Sequence, residues 1–246
     1  MPSTRNSPSK SKTLLIAAAI AISGALIYIA IPKGESPKQA EQNASSFSGI
    51  APKDFHGIPP EGTGGDPDLN RKKNRWVAPI DVTPMTVSQV IGLPHDDLSL
   101  MGKESRSKWS EAARAQAAAS EARGIQVVGY LAHAKESGAE SCNGKNDIYH
   151  DFHIWITESP GENKNQGIIV EATPFWKEQF PAWRLSTFEK LASGQAQVRV
   201  TGWLLWDQEH GDEVGKSRGS LWEIHPFTKF EYFSGGKWVE LASAPL

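Results

Sequence analysis

One cysteine, Cys142, occurs in 246 residues, so no intramolecular disulfide can form and a disulfide-stapled scaffold is excluded. Neither sign of charge dominates: 26 basic and 28 acidic side chains leave a formal net charge of −2. The short signatures of common enzyme chemistries are missing as well, with no G-x-S-x-G elbow, no H-E-x-x-H, no P-loop and no dinucleotide fingerprint. What is present is 39% hydrophobic residues and nine tryptophans. That is enough for a packed core and incompatible with a disordered or collagen-like chain. The length suits one or two domains.

Long apolar runs are absent except for one. Residues 14–31 form an uncharged stretch of 18 residues, the length that crosses a bilayer as a helix. Arg5, Lys10 and Lys12 precede it and Lys33 and Lys38 follow it, a bias that places residues 1–13 in the cytoplasm. The expectation is a single-pass protein of the cytoplasmic membrane, with its C-terminal domain outside the cytoplasm. A cleaved signal peptide is the alternative, with Ser23-Gly24-Ala25 as the processing site. Apolar residues nevertheless continue to Ile31, as a retained anchor requires. Residues 32–61, rich in Ser, Pro, Gly, Lys, Glu and Gln, read as a flexible linker.

Residues 62–123 read as a basic loop followed by a helical lead-in. Arg71, Lys72, Lys73 and Arg75 form the basic cluster. It can grip nucleic acid or anionic lipid headgroups, or it can be a solvated patch whose neighbouring asparagines cap a helix or pin a loop. Thr83-Pro84 predicts the start of a short helix through Val90, and the alanine-rich stretch 107–123 predicts another, stopped by Gly124.

From Gly124 onward the pattern becomes β. Strands are predicted over 124–134, 148–157, 167–173, 196–206 and 220–232, with a helix over 181–191 between the third and fourth. Three strands, a helix and two strands give the element order of the OB-fold, a five-stranded Greek-key barrel, over 124–240. A plain β-sandwich would leave the helix without a reason. In such a barrel the third strand pairs with the second on one side and the fifth on the other.

Several motifs lie in that same order: Asp66-Pro-Asp-Leu-Asn70 with Lys73-Asn74-Arg75, Asp151-Phe-His153, Val170-Glu-Ala-Thr-Pro174, and Ser220-Leu-Trp-Glu-Ile-His-Pro226. Together they resemble an uncharacterised family of bacterial OB-fold-like proteins over roughly residues 62–232. The resemblance implies the barrel and no activity.

Alternation along the strands sorts the side chains into faces. Phe152, Ile154 and Ile156 share the core face of the second strand, whereas Asp151, His153 and Trp155 share the other. Glu171 on the third strand and Glu223 and His225 on the fifth fall on the matching polar face. Asp151, His153, Glu171, Glu223 and His225 are therefore the candidate ligands for a divalent metal such as Zn²⁺. Asp207 and His210, just past the fourth strand, can extend the site, and Trp155 can stack a base or sugar ring. Two other readings stand beside the metal: a metal-free acid–base or binding site, and a structural network of cross-strand ion pairs on a half-solvated face.

Two polar loops, 136–147 and 207–218, wall this face. Acidic residues outnumber basic ones by 22 to 16 from residue 76 onward, which disfavours nucleic acid as a partner. The expected function is a membrane-anchored, extracytoplasmic binding or interaction module for a metal, small molecule, saccharide or envelope protein. The alternative is a metal-dependent hydrolase using the Asp/His/Glu face, with Glu171 or His210 activating water.

Overall fold

The computed structural model describes residues 52–95 and 104–242. The predicted anchor over 14–31 and the linker as far as Ala51 lie outside the described residues. No helix among those described is long and apolar enough to cross a membrane.

In chain order the elements are α1 (Pro67–Lys73), β1 (Val82–Thr86), α2 (Val87–Ile91), α3 (Glu111–Glu121), β2 (Gly124–Glu136), β3 (Phe152–Thr157), β4 (Ile168–Ala172), α4 (Pro174–Gln179), α5 (Leu185–Ser193), β5 (Gln197–Trp206), β6 (Trp222–Ser234) and β7 (Lys237–Glu240). Five strands close on themselves in the order β2-β3-β4-β6-β5 and back to β2. The β4–β6 pairing is parallel, and the other four contacts of the ring are antiparallel. β4 thus lies between β3 and β6, the arrangement expected of its third-strand position. α5 falls between the third and fourth barrel strands. This is an OB-fold-like barrel with accessory helices, and the β7 hairpin extends it from β6.

Closure depends on β2. Its first half, residues 124–130, pairs with β5, and its second half, residues 130–136, pairs with β3. The changeover passes Gly129, where an added Cβ would lie 2.5 Å from Ile156 Cγ2 and 2.6 Å from the Thr157 carbonyl oxygen. Only glycine permits that approach. The barrel interior is filled by Ile125, Val127, Leu131, Ile154, Ile156, Val170, Val200, Leu204 and Ile224, all fully buried. α5 adds Phe188, whose ring meets Phe230 edge-on at 5.0 Å and Phe227 at 6.2 Å.

The lead-in differs from its sequence reading. Val82–Thr86 is a strand running parallel to the start of β2, and the helix begins at Val87. Thr86, not Thr83, is the N-cap: it accepts from the Gln89 backbone N–H, and the Gln89 side chain reciprocates. Such a capping box satisfies two orphan donors, so it sets the helix start. Pro84, lacking an N–H, sits on an edge strand where none is needed.

α1 explains the Asp66-Pro-Asp-Leu-Asn70 string. Asp66 caps the helix by accepting from Asp68 and Leu69 N–H, and Pro67 occupies the first helical turn. The other Asp66 oxygen accepts from Arg106 N at 2.6 Å. Asn70 Nδ2 donates to the carbonyls of Glu61 and Gly64, and its Oδ1 accepts from Ser141 Oγ. Asn74 Nδ2 donates to the carbonyls of Pro60 and Cys142. α1 is therefore tied to the 136–151 segment joining β2 and β3.

Candidate metal centre

Strand register assembles the polar face as expected. His153 of β3 lies opposite Glu171 of β4, and Val170 of β4 lies opposite Ile224 of β6, so Glu171 neighbours the flanking Glu223 and His225. The face is not half-solvated. Asp151, Glu223 and His225 are 0% exposed, and Glu171 is 2% exposed. The β2–β3 segment and the long β5–β6 connection cover it, which alternation within strands cannot reveal.

His225 is the hub. Its Nδ1 lies 3.1 Å from both Glu171 Oε2 and Glu223 Oε1, and its Nε2 lies 3.6 Å from Asp151 Oδ2. Nδ1 hydrogen-bonds to Glu223. Among the described residues, Asp151 Oδ2, Glu171 Oε2 and His225 Nε2 are buried without a hydrogen-bond partner. Asp151, Glu171 and His225 each bring one candidate ligand atom within 4.8 Å of the others. Ligand atoms about 2.0–2.2 Å from one tetrahedral metal stand roughly 3.4 Å apart, so this grouping would have to draw in slightly around an ion.

The groups around these three are arranged as a supporting shell. Asn143 Nδ2 holds Asp151 Oδ1 at 2.9 Å, leaving Oδ2 free to ligate. Glu223 Oε1 accepts from His225 Nδ1, so Nε2 is the nitrogen that could ligate once its proton is lost, and Arg218 Nη1 grips Glu223 Oε2 at 3.2 Å. A carboxylate–histidine contact of this kind sets the tautomer of a metal-ligating imidazole. Glu223 lies against His225 Nδ1 and stands outside the group formed by Asp151, Glu171 and His225.

Asp207 and His210 are also one step removed. Asp207 Oδ2 is 2.6 Å from His210 Nδ1 and 2.7 Å from Arg218 Nη1. His210, 36% exposed in its side chain, borders a cavity of about 300 Å³ lined by Lys73, Glu140, Ser141, Glu209 and His210. Trp155 is no stacking platform, because it is 2% exposed and its Nε1 donates to the Ser217 carbonyl at 2.6 Å.

The basic cluster is divided by α1 and does not form one surface. Lys73 is buried, with Nζ 3.4 Å from Glu209 and 3.8 Å from Glu140. Arg75 donates to the carbonyls of Glu121 and Leu204 and lies over the Trp203 ring. Lys72 faces Glu121 at 3.9 Å, and Arg71 pairs with Asp68 within its own helix. Glu140 is the residue of this cluster that the sequence did not single out, whereas Lys73 was expected only as part of the basic cluster. The signal for Glu140 was its place in an acidic loop expected to wall the cleft.

Electrostatics follow from this packing. Burial works to lower both imidazoles, but Glu171 and Glu140 hold His153 up at about 9, and Glu171 and Glu223 hold His225 at about 10. Burial would raise Glu171, yet His153 and His225 bring it down to about 2. Burial and Glu140 push Asp151 up to about 7. The site is thus a buried network in which two imidazolium groups offset the carboxylates. Exchanging two imidazole protons for one divalent ion would leave its charge unchanged.

Comparison with known proteins adds little to this geometry. The sequence matches no protein-family model, and no curated protein matches it. One similar chain comes from the crystal structure of yeast Stn1 and Ten1, at 11% identity and a TM-score of 0.34. The match covers 63% of this chain and 65% of that one. The assignment to an OB-fold-like barrel rests on strand order and pairing in the chain itself.

Proposed function

We propose that this chain is a divalent-cation-binding OB-fold-like module, with the ion held by Asp151, Glu171 and His225. One observation carries the reading: Asp151 Oδ2, Glu171 Oε2 and His225 Nε2 are buried together without hydrogen bonds. A buried polar atom lacking a well-aligned hydrogen bond is under-stabilised, and a shared cation would engage all three at once. Carboxylate and imidazole donors suit Zn²⁺, Mn²⁺ or Fe²⁺.

The apolar run at residues 14–31 supports tethering of the module to the cytoplasmic membrane, facing outward. The ordered motifs support membership in the bacterial OB-fold-like family they resemble. A small molecule, saccharide or envelope protein is the ligand class suited to the polar loops, and the acidic balance argues against nucleic acid.

The cavity beside Glu140 favours a second reading, a metal-dependent hydrolase in which His210, oriented by Asp207, activates water. The test that comes first is metal content. The untagged chain, purified without chelator, is expected to carry near-stoichiometric metal that is lost in Asp151→Asn and His225→Gln variants that still fold. A folded wild-type chain that neither carries metal nor takes it up on dialysis would leave a metal-free polar network as the role of this face.

A further inference from the structure

We infer that the centre takes a second divalent cation, on Glu140, His153 and the shared Glu171. The inference rests on the metal-binding reading above and extends it from one ion to a carboxylate-bridged pair.

Glu140, His153 and Glu171 each bring a candidate ligand atom within 4.8 Å of the others, and Glu171 also belongs to the inner group with Asp151 and His225. Its Oε2 lies between the two histidines, 3.3 Å from His153 Nε2 and 3.1 Å from His225 Nδ1. That oxygen is buried and accepts no hydrogen bond among the described residues. Two-metal sites hold their ions about 3.5–4 Å apart, close enough for one carboxylate to serve both.

The two oxygens of Glu140 are used differently. Oε1 faces His153 Nε2 at 3.3 Å, inside the cluster. Oε2 turns the other way, toward Cys142 Sγ at 3.5 Å and Lys73 Nζ at 3.8 Å. Lys73 is itself drawn to Glu209 at 3.4 Å. The ammonium therefore sits beside the outward oxygen, and the inward one is held by His153, whose proton an ion would replace.

The two positions also differ in access. Asp151 and His225 are fully buried, whereas the Glu140 side chain is 22% exposed and borders the cavity shared with Lys73 and His210. The inner ion would be enclosed by protein. The outer ion would have room for a water or a ligand atom, as an open coordination position requires.

The test uses the full chain in detergent, stripped of metal and dialysed in parallel against Mn²⁺ and Zn²⁺, with metal per chain measured by mass spectrometry. Two ions per chain are expected for the wild type. The doubly loaded Mn²⁺ form should give an exchange-coupled electron paramagnetic resonance spectrum, which needs no variant. Glu140→Gln and His153→Gln should bind one ion and give an isolated six-line Mn²⁺ signal, with circular dichroism confirming the fold. One ion in the wild type, unaffected by Glu140→Gln and His153→Gln but lost in His225→Gln, would overturn the second site and leave the inner one standing. No ion in the wild type would overturn both.

Discussion

His225 Nδ1 and Glu223 Oε1 are hydrogen-bonded at 3.1 Å with both residues fully buried. The contact fixes the ring of a histidine on an interior strand, with its Nε2 3.6 Å from Asp151 Oδ2. Arg218 holds the opposite oxygen of Glu223, so the orientation is passed from the β5–β6 connection into the barrel wall.

Weakening that contact should weaken the metal without removing it. Glu223→Gln keeps the shape but lowers the basicity of the imidazole, and losses of about 10–100-fold in affinity are typical for such supporting residues. Competition against a chromophoric chelator measures the change. Unchanged affinity would show that Glu223 plays no part in presenting His225.

The pH dependence of stability should reverse when metal is bound. In the metal-free chain His153 and His225 are held above their unfolded values, at about 9 and 10. Their contribution is therefore complete below pH about 6.5 and is lost as pH rises through 9–10. Asp151, raised to about 7, acts in the same direction at lower pH. Metal-free stability should fall from mildly acidic to alkaline conditions. Metal binding requires deprotonated ligands, so affinity and holo-protein stability should rise over the same range. Urea titrations at pH 6, 8 and 10, with and without metal, distinguish the two slopes.

Asn74→Ala should loosen the cover over the site. The change leaves the Pro60 and Cys142 carbonyls without their donor, at a cost of about 1–3 kcal/mol if both stay buried. The expected signature is local: faster hydrogen exchange in residues 137–147 and faster metal loss to a chelator. Uniform exchange acceleration across the barrel would show instead that Asn74 supports the whole fold.

Phe188→Ala separates fold from site. The side chain is fully buried among Phe152, Phe227 and Phe230, and truncation in such a position costs about 3–5 kcal/mol. Metal per folded chain should stay at the wild-type value, because no ligand touches this ring. A drop in metal content of the folded fraction would tie the centre to α5.

Arg218→Met should be more damaging than its single charge suggests. Its guanidinium meets both Asp207 and Glu223, which are buried, and leaving buried carboxylates without their cation costs about 3–5 kcal/mol. Chemical denaturation measures the loss, and a double change with Glu223→Gln should recover part of it.

The barrel and one face of it were legible from local pattern alone. Alternation along β3, β4 and β6 placed His153, Glu171, Glu223 and His225 on one side, because side chains two apart on a strand must point the same way. The helix between the third and fourth barrel strands was legible from its apolar spacing. Burial of that face was decided elsewhere. Lys73, Glu140 and Asn143 reach it from segments whose approach depends on loop paths, and Asn74 meets the Cys142 carbonyl across 68 positions of sequence. Local periodicity says nothing about such distances. The split between the roles proposed for Glu171 and Glu223 is likewise tertiary. The residue type is the same in both, and only the position of each oxygen relative to His225 and Arg218 separates their roles.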